Sequence, residues 1–268
     1  MQIFSVTSGK GGVGKTSLIC NLAVELGRQG RKVLLIDADM GLANVDIMLG
    51  LSPKATLAQF FAGEAELSSL LIEARSNVTV LPAASGVREV THLSDDRILM
   101  LMSALDALDT EVDVLLVDTG AGIGKNVLAF NAAAGQVLVV ATPEPTSMTD
   151  AYATMKVLST SHSIKSFHLV VNMVDSRKEA LRVFRHLTTV ADQFLDIAIN
   201  FTGFIVRDDH VRQAIVERVL LIERYPNSPA AEGVRMLAET LGREGAAGAP
   251  SGQMQFFWRR LLGQEPAR

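Results

Sequence analysis

Eight residues near the start of the chain, Gly9-Lys10-Gly11-Gly12-Val13-Gly14-Lys15-Thr16, fit the spacing G-x-x-x-x-G-K-[ST]. Glycines at such spacing let a backbone come close to anionic oxygens, or take positive φ angles that a Cβ would oppose. The lysine and hydroxyl that end the loop suit a nucleoside triphosphate. Lys15 would reach the β- and γ-phosphates, and Thr16 would ligate Mg²⁺. Asp118 closes the apolar run Val114-Leu115-Leu116-Val117, where a carboxylate can hold the metal's water shell. Asp37 and Asp39 close another such run, and a carboxylate there can orient an attacking water or support the metal. A strand-end aspartate that only caps a helix is the alternative. Asn172 follows Val170-Val171, and its amide can pair a purine edge or serve as a turn residue.

These residues act together only if the elements that carry them meet at one edge. Residues 2–6 read as a buried strand and 17–29 as a helix, so the glycine loop joins a strand end to a helix start. Backbone N–H groups and the positive end of a helix dipole converge there. Further apolar, β-branched runs span 32–36, 78–82, 112–118, 136–141, 167–172 and 197–205. Most lack alternation, as strands covered on both faces do. Ser176-Arg177-Lys178-Glu179 predicts a capping box that opens a helix to Phe194. Ser228-Pro229 predicts a cap and N1 proline before a helix ending at Leu241. Strand and helix in alternation predict an α/β fold, a doubly wound, mainly parallel sheet flanked by helices, with ligands at the carboxyl ends of its strands. Thr119-Gly120-Ala121-Gly122 reads as a glycine turn that can switch beside a γ-phosphate.

With 268 residues and 48% hydrophobic content, the chain can bury one sizeable core. The expected organisation is a nucleotide domain over 1–241, a Gly/Ala/Pro-rich linker over 242–252 and a short tail over 253–268. The net charge of −4 gives no basic field, so direct nucleic-acid binding is not expected. Cys20 is the single cysteine, which excludes an intramolecular disulfide and a Cys₄ cluster. The chain opens on a strand rather than a basic leader, and no run approaches the roughly 18 apolar residues of a spanning helix. A cytoplasmic protein is expected.

The block Lys10-Gly11-Gly12-Val13-Gly14-Lys15-Thr16 resembles the deviant P-loop of the MinD/ParA family of dimerising ATPases. The resemblance runs from residue 2 to about 241. It implies a homodimer in the ATP state, with Lys10 crossing to the partner's nucleotide. It implies ATP or ADP held by Gly11, Gly12, Val13, Gly14, Lys15, Thr16 and Ser17, with Asp39 activating water and Asp37 supporting Mg²⁺. Asn172 would read adenine. Gly203-Phe204-Ile205-Val206-Arg207-Asp208 resembles a G-x-I-P-x-D segment, which would place Ile205, Val206 and Asp208 at the base, with Val206 standing for the proline. Residues 41–51, 143–153 and 225–231 resemble segments of the FlhG/FleN group, MinD-like regulators of flagellar number and placement. That group implies a membrane-bound ATP dimer working with an FlhF-type GTPase, and in some members with a flagellar transcription activator or switch-complex protein. Some members carry an N-terminal extension that stimulates the GTPase; this chain starts close to the loop, so that activity is not expected. MinD-type division-site positioning, ParA-type partitioning and an ATP-binding scaffold are the competing readings. A nitrogenase-reductase-like role would need paired cysteines.

Met254, Phe257, Trp258, Leu261 and Leu262 fall at i, i+3, i+4, i+7 and i+8, one apolar face at helical period. Gln253, Gln255, Arg259 and Arg260 lie on the other side. An amphipathic C-terminal helix with aromatics and arginines, set beyond a linker, fits the interface of an anionic membrane. Packing on its own domain or a partner is the alternative.

Overall fold

The computed structural model describes residues 1–39, 44–83, 94, 96–97, 100, 104 and 112–246. The tail residues Met254, Phe257, Trp258, Leu261 and Leu262 lie outside the described residues, as do 40–43 of the segment that follows Asp39.

The first half carries β1 (Gln2–Ser8), α1 (Lys15–Arg28), β2 (Val33–Ala38), α2 (Val45–Leu49), α3 (Leu57–Phe61) and α4 (Leu67–Leu70). It continues with β3 (Ile72–Glu73), β4 (Val78–Leu81) and β5 (Val114–Ala121). The second half carries α5 (Lys125–Ala134), β6 (Gln136–Ala141), α6 (Pro145–His162), β7 (Ser166–Val174) and α7 (Arg177–Phe194). It ends with β8 (Ala198–Val206), α8 (Asp209–Glu217), α9 (Leu221–Arg224) and α10 (Pro229–Ala246). All eight strands join one sheet in the order β3-β4-β2-β5-β1-β6-β7-β8. Every pairing is parallel except β3 with β4, which is antiparallel.

Strand alternation assigns each side chain to one of two layers. Phe4, Val6, Leu35, Leu116, Leu138 and Val170 face α1 and α10 in one core. Their neighbours in sequence face the other way. Ile3, Leu34, Leu115 and Val117 pack on Leu57, Phe60 and Phe130, while Val137, Val139, Phe167 and Leu169 pack under α6 and α7. Removal of such side chains from water contributes about 1.5–3 kcal/mol each. Because both faces are covered, the central strands read as continuous apolar runs.

β1 lies between β5 and β6, and the chain departs from it toward opposite edges, so the crevice opens at its carboxyl end. Several boundaries differ from the sequence reading. α1 begins at Lys15, so the loop's last residues are helical. β5 runs on to Ala121, because Thr119 pairs with Ala38 and Ala121 with Ser8, and only Gly122 turns. The expected glycine turn is therefore mostly strand. The predicted capping box on α7 is half formed. The Ser176 hydroxyl accepts from Glu179 N–H, but the Glu179 carboxylate accepts from Asp175 N–H, one residue too early. α10 passes the expected stop at Leu241 and continues through Gly242 to Ala246. Packing of Leu237, Ala238 and Leu241 outweighs the roughly 1 kcal/mol that an interior glycine costs. Among the described residues no helix is long and apolar enough to cross a membrane.

Candidate active site

The loop between β1 and α1 keeps its shape for a different reason at each glycine. Gly12 and Gly14 have φ of 80° and 86°, the left-handed region. Gly9 has no such angle, but a Cβ there would lie 2.2 Å from the backbone of Asp150 in α6. A Cβ at Gly11 would meet nothing within 4 Å. Two outside contacts brace the loop: Asn172 Nδ2 donates to Val13 O at 2.7 Å, and Gly122 N–H donates to Ser8 O at 2.8 Å. Gly14 caps α1 without a side-chain acceptor, and the first turn carries no acidic residue. The N–H groups of that turn are thereby left for an anion.

Beyond the loop the predicted ionic residues converge. Lys15 Nζ donates to Asp118 Oδ1 at 2.9 Å, with both side chains almost fully buried. The Thr16 hydroxyl lies close enough to the same carboxyl to lower it, as Lys15 does. Burial pushes the Asp118 carboxyl up from its ordinary value, against the pull of Lys15. Asp37 stands beside Asp118 in register on the adjacent strand. Burial, and then the Asp118 charge, push it up to about 7, although three backbone N–H groups oppose them. Its Oδ1 accepts from Asp39 N–H at 3.0 Å, and its Oδ2 from Asn44 and Val45 N–H at 3.2 and 3.3 Å. Asp37 thus ties Asp39 to the start of α2. Asp39 reaches the opposite wall, where a Cβ at Gly120 would lie 3.6 Å from its Oδ1.

A cavity of about 910 Å³ holds these groups, with Gly11, Gly12, Lys15, Thr16 and Asp39 in its wall. A second cavity of about 400 Å³ shares Gly14 and Ser17 with it and is lined by Asn172, Ile205, Val206 and Asp208. The two together fit a polar, anionic chain next to a flat apolar base. The donor set fits Mg²⁺ with a nucleotide: a hydroxyl, a buried carboxylate and a lysine at one point, with further ligands coming from phosphate and water. Among the described residues no cluster of three or more His, Cys, Asp or Glu forms a separate metal cage.

Two predicted base-pocket residues have structural partners. Asn172 donates to Val13 O and accepts from Met173 N–H, which leaves one amide hydrogen and one lone pair for a purine edge. Asp208 is a double cap. Its Oδ1 accepts from His210 N–H at 3.0 Å and its Oδ2 from Ala230 N–H at 3.1 Å, so it ties α8 to α10. Burial acts to raise its carboxyl, but the N–H groups of Ala230 and His210, the His210 ring and the Ser228 hydroxyl outweigh it and hold the group below its usual range.

Lys10 points away from the loop's own cavity. Its Nζ contacts Glu144 Oε2 at 2.5 Å and Thr146 Oγ1 at 3.2 Å, at the N-terminus of α6. The Lys10 contact holds the Glu144 carboxyl below its ordinary value. Sequence reading missed Glu144 as a functional partner because the pair is separated by 134 positions. It also missed Met173, whose φ of 60° turns the chain between the two cavities.

Known proteins share this sequence and fold. The family described as "ParA: NUBPL iron-transfer P-loop NTPase" matches residues 1–242. The iron chemistry in that description needs thiolates, whereas Cys20 is fully buried inside α1. Antiactivator FleN of Pseudomonas aeruginosa is 43% identical over 267 residues, covering 100% of this chain and 95% of its own. Flagellum site-determining protein YlxH of Helicobacter pylori is 32% identical, covering 97% and 90%. The solved structure of septum site-determining protein MinD complexed with Mg-ADP from Pyrococcus horikoshii superposes with a TM-score of 0.73 at 25% identity, covering 93% of this chain and 99% of that one. The chain belongs to the ParA/MinD family of P-loop NTPases.

Proposed function

We propose that this chain is an ATP-hydrolysing switch that regulates flagellar number or placement. The observation that carries the nucleotide part is the meeting of Lys15, Thr16 and Asp118 at the head of a helix N-terminus, beside a wall that holds Asp39. Lys15 would exchange its bond to Asp118 for the phosphates, Thr16 and Asp118 would hold Mg²⁺, and Asp37, which fixes α2, would support that shell. A Mg²⁺ held there would neutralise charge on the leaving phosphates. Asp39 orients the water, in a reaction that converts ATP and water to ADP and phosphate. The name of the YlxH relative, a flagellum site-determining protein, supports the flagellar assignment, as does the resemblance to the FlhG/FleN group.

The same reading includes a second copy of the chain. Ile47 and Ile215 stand in the cavity wall at 48% and 44% exposure, apolar groups suited to an isologous contact over the mouth. An FlhF-type GTPase and the inner face of the cytoplasmic membrane are the proposed partners of the dimer, through the tail beyond residue 252. The deciding experiment compares Lys15→Ala and Asp39→Ala with wild type. The first should lose ATP binding and hydrolysis together; the second should bind ATP and hydrolyse it at least tenfold more slowly. Wild-type turnover in Lys15→Ala would refute the site.

A further inference from the structure

Arg218 has a conformation and a position that nothing above explains. It is the C-cap of α8, with φ 54° and ψ 46°, and its N–H bonds Ala214 O and Ile215 O. Helices commonly stop in this left-handed geometry, but glycine is the residue that enters it without strain. The chain instead places its longest cation there. Arg218 lines the 910 Å³ cavity, whose wall also holds Gly11, Gly12, Lys15 and Thr16. Among the described residues its guanidinium has neither a hydrogen bond nor an ion pair. The adjacent carboxylate does not serve it, because Glu217 is taken by Arg224 Nε at 3.3 Å and Tyr225 Oη at 3.2 Å. Of the other arginines near this face, Arg207 and Arg224 each meet a carboxylate, while Arg212 lines the second cavity and not the one that holds Lys15 and Thr16. Of the other ionisable side chains in the wall, Lys15 is bound to Asp118, and Asp39 is acidic and offers a phosphate no donor.

We propose that Arg218 is a second cationic contact for the phosphate chain of the nucleotide bound in its own protomer, supplied by α8 in addition to the P-loop. A guanidinium offers a planar fork that matches phosphate oxygens, and an exposed one without a protein partner is free to do so. Backbone strain retained at a ligand-facing position is consistent with that use. The proposal rests on the nucleotide reading above.

Arg218→Gly and Arg218→Lys in the full-length chain test it, by calorimetric titration with Mg-ADP and Mg-ATP and by thermal unfolding without ligand. Arg218→Gly should melt at the same or a higher temperature, since its backbone is relieved, yet bind both nucleotides about tenfold more weakly. Arg218→Lys should recover part of that loss. Unchanged affinity in Arg218→Gly overturns the proposal. Weaker binding together with a lowered melting temperature also overturns it, in favour of a structural role. Normal ADP and ATP affinity with loss of ATP-dependent dimerisation assigns the contact to the partner's nucleotide and overturns it too. Failure of the wild type itself to bind ADP or ATP brings down the nucleotide reading, a separate result.

Discussion

At the scale of single residues, the structure separates groups that sequence alone places in one list. Lys15, Thr16, Asp39 and Asp118 present side chains to the main cavity wall or to one another, whereas Asp208 spends both oxygens on backbone N–H groups. Asp208 therefore holds the wall of the second cavity by joining the N-termini of α8 and α10. Asp208→Ala should lower stability by about 1–2 kcal/mol at neutral pH, the usual worth of a capping aspartate. The sign of its pH dependence follows from the lowered carboxyl. The native state prefers the ionised form more than the unfolded chain does, so the contribution is fully present above the unfolded value near pH 4 and is lost as pH falls through the folded one. Urea unfolding of wild type and variant should show a gap at pH 7 that closes as pH falls through the lowered folded value. A gap that persists in acid would mean that the capping oxygens act without their charge.

At the scale of elements, much was legible and for a physical reason. Strands covered on both faces must be short, apolar and β-branched, so 136–141 was read to the residue, and the P-loop spacing placed β1 before α1. The antiparallel edge strand Ile72–Glu73 and the helices Val45–Leu49, Leu57–Phe61 and Leu67–Leu70 were not legible. Elements of two to five residues carry too little periodicity, and tertiary partners hold them, as Asp37 holds Val45 and Arg75 Nη2 holds Leu49 O. The loop glycines show the same limit. Their spacing reveals a phosphate loop, but the reason for Gly9 lies 141 positions away, in the backbone of Asp150 against it. This gives a contrast within one motif. Gly9→Ala should destabilise the protein by about 1–3 kcal/mol, since neither α6 nor β1 can yield. Gly11→Ala meets open space and should stay within about 0.5 kcal/mol. Thermal unfolding of the two variants checks the difference, and equal losses would contradict the packing account.

At the scale of the whole molecule, the question is what a single chain must release before it can pair. Lys10 is bonded to Glu144 and Thr146 of its own chain, yet the proposed dimer needs it at the partner's nucleotide. Both side chains of the ion pair are well exposed, at 39% and 62%, so the pair is weak and readily exchanged. Lys10→Ala should bind Mg-ATP and remain monomeric. Glu144→Gln removes the competing charge and should shift the dimer to lower protein concentration, by about two- to fivefold. The tail provides an independent readout. In the proposed reading the tail is a short amphipathic helix, which alone would hold a membrane weakly because its apolar area is small; the proposed dimer would present two at once and raise avidity without any new contact. Wild type with Mg-ATP should therefore co-sediment with anionic vesicles. Lys10→Ala should stay in the supernatant, and Glu144→Gln should sediment at lower concentration than wild type. Removal of residues 252–268 should abolish sedimentation while leaving the dimer intact by light scattering. If Lys10→Ala sediments as well as wild type, association does not gate the tail, and the switch cannot work through Lys10.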